Sequence, residues 1–274
     1  MIETVDHIII VVEDLHSAEE NYTKILGLKP VWRGAHDALG TSNVLFNFEN
    51  TYLELLSATG SGIGADLVKQ TIKEKGDSLL GLVLGTKDIN SFREIIKKSG
   101  HSLSELSDGE GKNEQNEQRE WLLQFLPNEL TRGIFSFVIE HKSEGLPLFT
   151  KDKSTVSRLE QVVVKTNDIN GFIKVYRDIF GIRLALDKFV EAWKKRILFF
   201  RLNKTTIEVI EEKNDEDTPK DSLWGLAWGV RDISKTRKRL VANNVEVSDI
   251  RPGVKEGTLA VSYTHLTLPT TWLV

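Results

Sequence analysis

The sequence contains no cysteine, which removes disulfides, thiolate nucleophiles and Cys-ligated zinc or iron–sulfur centres from consideration. Basic charge is not in excess either. Lys and Arg number 36 against 40 Asp and Glu, a formal charge of −4, so no positive field marks a nucleic-acid partner. The opening Met1-Ile2-Glu3-Thr4-Val5-Asp6 has no basic n-region, and its apolar run is too short to span a bilayer. A phosphate loop, a dinucleotide fingerprint, a coiled coil and a readable Ser-His-Asp arrangement are all missing. The expectation left standing is a soluble, cytoplasmic protein with no membrane role, and 274 residues give room for two ordinary domains.

What the chain does contain is a duplication. Val5-Asp6-His7-Ile8-Ile9-Ile10 aligns with Leu159-Glu160-Gln161-Val162-Val163-Val164, and the same offset of 154 positions pairs Asp14 with Asp168, Tyr22 with Tyr176, Gly27 with Gly181, Phe46 with Phe200 and Glu54 with Glu208. A second block, from Asp77 to Gly85, recurs from Asp221 to Gly229 at an offset of 144. A long-period repeat of this kind sets architecture before any propensity argument.

Each repeat reads as a strand, a helix, then strands. Residues 5–12 are β-branched and apolar, as a buried strand requires. Asp14 is placed to cap a helix over 15–26, where Leu15, Ala18, Tyr22, Ile25 and Leu26 recur at helical spacing, and Gly27 suits its left-handed end. Strands are expected near 29–33, 43–48 and 51–56. A second unit begins at Leu79, with a helix over 88–98 and strands near 101–106, 120–126 and 133–141. The third unit runs from 159 to about 212, and the fourth opens at Leu223. The polar stretch 107–119 reads as a solvated loop, 142–156 as a linker between halves, and acidic 211–221 as a flexible connection. The domains are therefore expected at 1–148 and 155–260. The last residues, 261–274, resemble translated sequencing-adapter read-through, so they are expected to be a non-native tail with the fourth unit truncated.

Four tandem βαβββ modules with a His on the first strand and a Glu on the fourth resemble the vicinal oxygen chelate superfamily, which includes glyoxalase I, extradiol dioxygenases and bleomycin-resistance proteins. The segments carrying the resemblance are Val5-Asp6-His7, Gly27-Leu28, Gly40-Thr41-Ser42-Asn43 and Tyr52-Leu53-Glu54-Leu55-Leu56, and the last two look like its glyoxalase-like group in particular. The resemblance implies an α+β fold of paired modules forming cupped mixed sheets with helices outside. It also implies a small-molecule substrate or ligand, and it is compatible with a homodimer.

The chemistry of the pattern stands beside the name. Alternation places His7, Ile9 and Val11 on one strand face, and Tyr52, Glu54 and Leu56 on one face of another. An imidazole and a carboxylate converging there suit a divalent metal such as Zn, Fe, Mn or Ni. Such a metal polarises a carbonyl, and Glu54 could instead move a proton as a catalytic base. These residues point to a lyase, isomerase or oxygenase acting on adjacent oxygens. A core histidine with satisfied hydrogen bonds is the structural alternative for His7. The family position that would supply a third ligand is Gly81 in the second unit and Gly225 in the fourth, and glycine has no side chain to offer. Replacement ligands would be His36, Glu140 or His141. In the second half Gln161 and Glu208 occupy the His7 and Glu54 positions, either as a site of their own or, less readily, in one site shared by both halves. The missing ligand favours the alternative function, a metal-free binding or sequestering protein of the bleomycin-resistance type, in which Gly81 lets a bulky ligand approach the sheet.

Overall fold

The computed structural model describes residues 1–148, 152–191, 193–212, 218–253, 257–265 and 268–273, with side chains as far as Tyr263. The first half comprises β1 (Thr4–Val11), α1 (Leu15–Leu26), β2 (Trp32–His36), β3 (Thr41–Asn47), β4 (Tyr52–Ala58), α2 (Ile63–Lys75), β5 (Ser78–Gly85), α3 (Ile89–Lys98), β6 (Ser107–Asn113), β7 (Gln118–Phe125), α4 (Asn128–Thr131) and β8 (Phe137–His141). The second half follows with β9 (Val156–Thr166), α5 (Ile169–Ile173), β10 (Arg183–Val190), β11 (Lys195–Leu202), β12 (Thr205–Glu211), β13 (Asp221–Val230), α6 (Ile233–Ala242), β14 (Arg251–Pro252), β15 (Leu259–His265) and β16 (Leu268–Leu273). A π-helical turn carries α5 on to Ile179.

The repeat is legible in the capping. Asp14, Asp88, Asp168 and Asp232 each precede a helix, and each side chain accepts a hydrogen bond from the backbone N–H three residues on. That bond satisfies one of the donors a helix start leaves free. Gly27 and Gly181 both adopt a left-handed conformation, φ 71° and 72°, directly after the first helix of each half.

Modules pair first with second and third with fourth. β1 lies between β4, parallel to it, and β5, antiparallel to it; β9 lies in the same way between β12 and β13. In the first half the strands run β1-β4-β3-β2-β6-β7-β8-β5 and close into a barrel, with Gly34 paired to Asn113 and Ala35 to Lys112 at the β2–β6 seam. The second sheet, ordered β10-β11-β12-β9-β13-β16-β15-β14, is open. The outward faces of both sheets and the helices α1, α3, α5 and α6 share one continuous apolar core, from Ile8, Ile10, Leu53 and Phe92 to Val162, Phe172, Phe200 and Leu240. A smaller cluster of Ile9, Val83 and Ile139 fills part of the barrel interior.

Two local features differ from the sequence reading, and described residues of the expected non-native tail, 261–274, lie in strands. Residues 107–119 hold most of a hairpin, β6 and β7, rather than a loop, while 101–106 is not a strand. Gly109 and Gly111 hide the strand pattern: the Trp121 ring lies where a β-carbon on Gly109 would stand. Helix α2 has no counterpart in the sequence reading, because Gly60, Gly62 and Gly64 at its start look like a loop; they lie close to Gly40 and Leu39 instead. The segment read as a non-native tail supplies β16 and most of β15, with Val261 and Tyr263 buried.

Arg132 ties the halves together. It follows α4, and its buried guanidinium donates to Asp221 at the start of β13 (2.7 Å) and to the Asp168 carboxylate (3.1 Å) and carbonyl (2.8 Å). Removing one partner of a buried pair strands the other charge, so Arg132→Ala is expected to cost about 3–5 kcal/mol in urea unfolding. Replacing Asp221 with Leu in the same chain should recover part of that loss. An unchanged urea midpoint in Arg132→Ala would show that the bridge contributes nothing.

Candidate functional site

The barrel interior receives alternate residues of each strand, and in β1 the alternation is broken on purpose by a bulge. Pairing with β5 slips by one residue between Val5 and His7, leaving Asp6 as the extra residue; a bulge re-aims side chains in this way. Asp6 and His7 are consequently both available to the interior. His7 Nδ1–H donates to Asp6 Oδ1 at 2.7 Å, and His141 on β8 donates from Nε2 to the same carboxylate at 3.0 Å.

His7 Nε2 then faces Glu54 Oε2 at 3.3 Å, both side chains being buried. Asn43 on β3 donates Nδ2–H to Glu54 Oε1 at 2.7 Å, and the same nitrogen lies 3.4 Å from His36 Nε2. His36 ends β2, and its Nδ1 meets the Thr41 hydroxyl at 3.1 Å. The Tyr52 ring stacks on His7, with centroids 4.5 Å apart at an interplanar angle of 15°. Phe137 and Trp121 meet His7 and His36 edge-on, each at 6.0 Å.

Electrostatics follow from this chain of contacts. Burial works against ionisation of Asp6, but hydrogen bonds from His141 and His7 outweigh it and hold the carboxyl well below its usual range. Burial would lower His7, yet its bonds to Asp6 and Glu54 raise it. Glu54 is lowered by His7 against the same burial. His36, with no carboxylate bonded to it, is pushed down by burial.

His7, Glu54 and His36 thus stand in one polar chain across the barrel. Glu140 is on the other face of β8, where it accepts from Ile89 N at the start of α3 (2.9 Å) and pairs with Lys142. Gln161 and Glu208 belong to the second sheet. Gly81 does face the interior, but its space is taken by the protein itself: a β-carbon there would stand 3.1 Å from Phe135 and 3.2 Å from Ile9. Among the described residues no group of three or more His, Asp and Glu side chains is spaced to hold a metal ion. Asn43 Oδ1 is buried without a partner among the described residues.

Asp6 and Asn43 stand in the motif segments without a role assigned to them from the sequence, and Arg119 carries no sequence signal at all. For Asp6 a signal existed, since an acid directly before a strand histidine is placed to orient it; Arg119 becomes notable only beside its aromatic neighbours in space. In the second half Glu160 repeats the bulge between Leu159 and Gln161. With no imidazole there, Glu208 meets no hydrogen-bond donor among the described residues, and burial pushes its carboxyl up to about 7.

A family model described as the glyoxalase-like domain matches residues 5–180, and one described as the glyoxalase/bleomycin resistance protein/dioxygenase superfamily matches residues 160–261. None of the curated proteins matches the chain in sequence. Among solved structures, a hypothetical protein from Staphylococcus aureus is similar at TM-score 0.67 and 14% identity, over 98% of each chain. A Mn(II)-bound glyoxalase from Novosphingobium aromaticivorans is similar at TM-score 0.66 and 14% identity, over 100% of this chain and 82% of that one. A halotolerant catechol dioxygenase is similar at 0.64 and 11% identity, over 100% and 86%. At these identities the likeness is one of fold.

Glu208 offers a test of the second half. Its carboxyl is raised by folding, so it is neutral in both states at low pH, and the cost of ionising it appears as pH rises from the ordinary range through about 7. Glu208→Gln should match the parent in unfolding free energy near pH 4 and exceed it at pH 8, by on the order of 2 kcal/mol after allowance for partial exposure. A variant less stable at pH 8 would show that the ionised carboxylate has a partner.

Proposed function

The chain belongs to the glyoxalase-like domain family, and from that premise we propose that its first barrel holds a divalent metal through His7 and Glu54 and acts on a small molecule with adjacent oxygens. The carrying observation is the pair itself. His7 Nε2 and Glu54 Oε2 converge at 3.3 Å while Asp6 takes the other ring nitrogen at 2.7 Å. A carboxylate behind a ligating histidine fixes its tautomer and its orientation. Asn43 holds the second oxygen of Glu54 by its amide N–H and keeps a buried, unpartnered carbonyl oxygen. His7 and Glu54 are two ligand types that suit a first-row metal, with the remaining positions left to water or ligand oxygens. A metal there supplies Lewis acidity, polarising a ligand oxygen. The chain's own part is to orient the imidazole through Asp6, to exclude water with Tyr52, Phe137 and Trp121, and to accept a proton at Glu54 if its oxygen is released. A lyase, isomerase or oxygenase reaction is compatible with that set, in a homodimer or a single chain.

A metal-free binding protein is the second reading, and the filled space before Gly81 favours it, since the position that carries a ligand in the family is closed by Phe135 and Ile9. Elemental analysis of protein purified without chelator or immobilised metal separates the two. The expected result is about one first-row metal per chain, lost in His7→Ala and in Glu54→Gln, with affinity reduced roughly 10–100-fold in Asp6→Asn. Negligible metal in the parent protein at millimolar Zn²⁺ or Mn²⁺ would leave the binding-protein reading.

A further inference from the structure

Arg119 on β7 is 9% exposed, and its Nε has no hydrogen-bond partner among the described residues. No carboxylate forms an ion pair with it there. Its guanidinium lies over the Trp32 and Tyr52 rings, 5.6 Å from each centroid. A buried cation without a counter-charge is costly, so a fold that keeps one is usually completed by an anion. This end of the barrel opens into a cleft of about 350 Å³ lined by Asp6, Asn47, Tyr52, Arg119, His141 and Ser143 among others. His141 brings a second buried atom without a partner, Nδ1, because its Nε2 is committed to Asp6.

We infer that the cleft takes a small monocarboxylate and that Arg119 pairs with its carboxylate, an inference that rests on the small-molecule reading of the barrel. The guanidinium presents a planar fork matched to a carboxylate, and the two aromatic rings hold that plane before the ligand arrives. The cleft is at the small end of ligand pockets, the size of a compact organic acid. Asp6 also lines it as a carboxylate, which disfavours a dianion such as phosphate beside a single unpaired cation. Tyr52 touches both Arg119 and His7, so the cleft borders the His7–Glu54 pair through the Tyr52 ring, with neither His7 nor Glu54 among its lining residues.

The test is calorimetric titration of the full chain with benzoate, phenylpyruvate, benzamide and inorganic phosphate, in the parent protein and in Arg119→Gln and Arg119→Lys. Both carboxylates should bind the parent, at least tenfold more tightly than benzamide or phosphate. Their affinity should fall at least tenfold in Arg119→Gln, be partly restored in Arg119→Lys and weaken with added salt. Failure of both carboxylates to bind, equal affinity for benzoate and benzamide, equal binding by parent and Arg119→Gln, or preference for phosphate would each overturn the inference. Should Arg119→Gln fail to fold by circular dichroism, the benzoate–benzamide contrast in the parent decides. Metal content of the same samples keeps the two readings apart: Arg119-dependent binding in metal-free protein supports the carboxylate site without the metal, whereas metal with Arg119-independent binding overturns the carboxylate site alone.

Discussion

The first barrel depends on which way β1 faces. Ile8 and Ile10 point into the apolar core shared with the helices, while His7 and Ile9 point into the barrel. Because side chains alternate with a period of two, a slip of one residue would bury the imidazole among aliphatic side chains and turn the isoleucines inward. The strand is held in register on both sides, by β4 from His7↔Tyr52 to Val11↔Leu56 and by β5 through two irregularities. The hydrophobic term that fixes the register is therefore the same term that aims the site. Chemistry and folding are coupled in one strand.

The bulge adds what alternation cannot. By taking Asp6 out of the ladder it puts a carboxylate behind His7 and within reach of His141, so that one acid serves imidazoles from strands at opposite ends of the half. The same irregularity recurs at Glu160, and the matching one in the partner strand occurs at Leu80 in β5 and Trp224 in β13. The duplicated halves thus share backbone distortions as well as residues. What differs is the side-chain chemistry mounted on them: Glu160 pairs with Arg158, and Gln161 stands where His7 does.

The parts of this fold that could be read from the chain were those in which one residue type has one local job. Aspartates before helices, glycines after them and β-branched runs announce themselves, and the repeat multiplies each signal. The His7–Glu54 pairing was legible because both residues recur at family positions. Features that arise only in three dimensions were not. Gly109 breaks the strand pattern of β6 because a tryptophan from β7 occupies its face, and Gly60, Gly62 and Gly64 disguise the start of α2. Arg119 looks like any solvated arginine until the fold brings Trp32 and Tyr52 beneath it.

The continuous core carries a consequence for how the second half can change. Its sheet contributes Val162, Val164, Phe200 and Ile207 to the same apolar cluster as Ile8 and Leu53, and it contributes Asp221 and Asp168 to Arg132. A copy that lacks the imidazole therefore remains a wall of the first copy's house: deleting it would expose the outer face of the barrel and strand a buried cation. Substitutions on its open sheet face are constrained by function only if that face has one, whereas substitutions on its core face bear directly on the stability of the other half. Sequence drift after the duplication is accordingly expected to be lopsided, fast at inward positions such as Gln161 and slow at Val162 beside it, so that the two faces of a single strand record different histories.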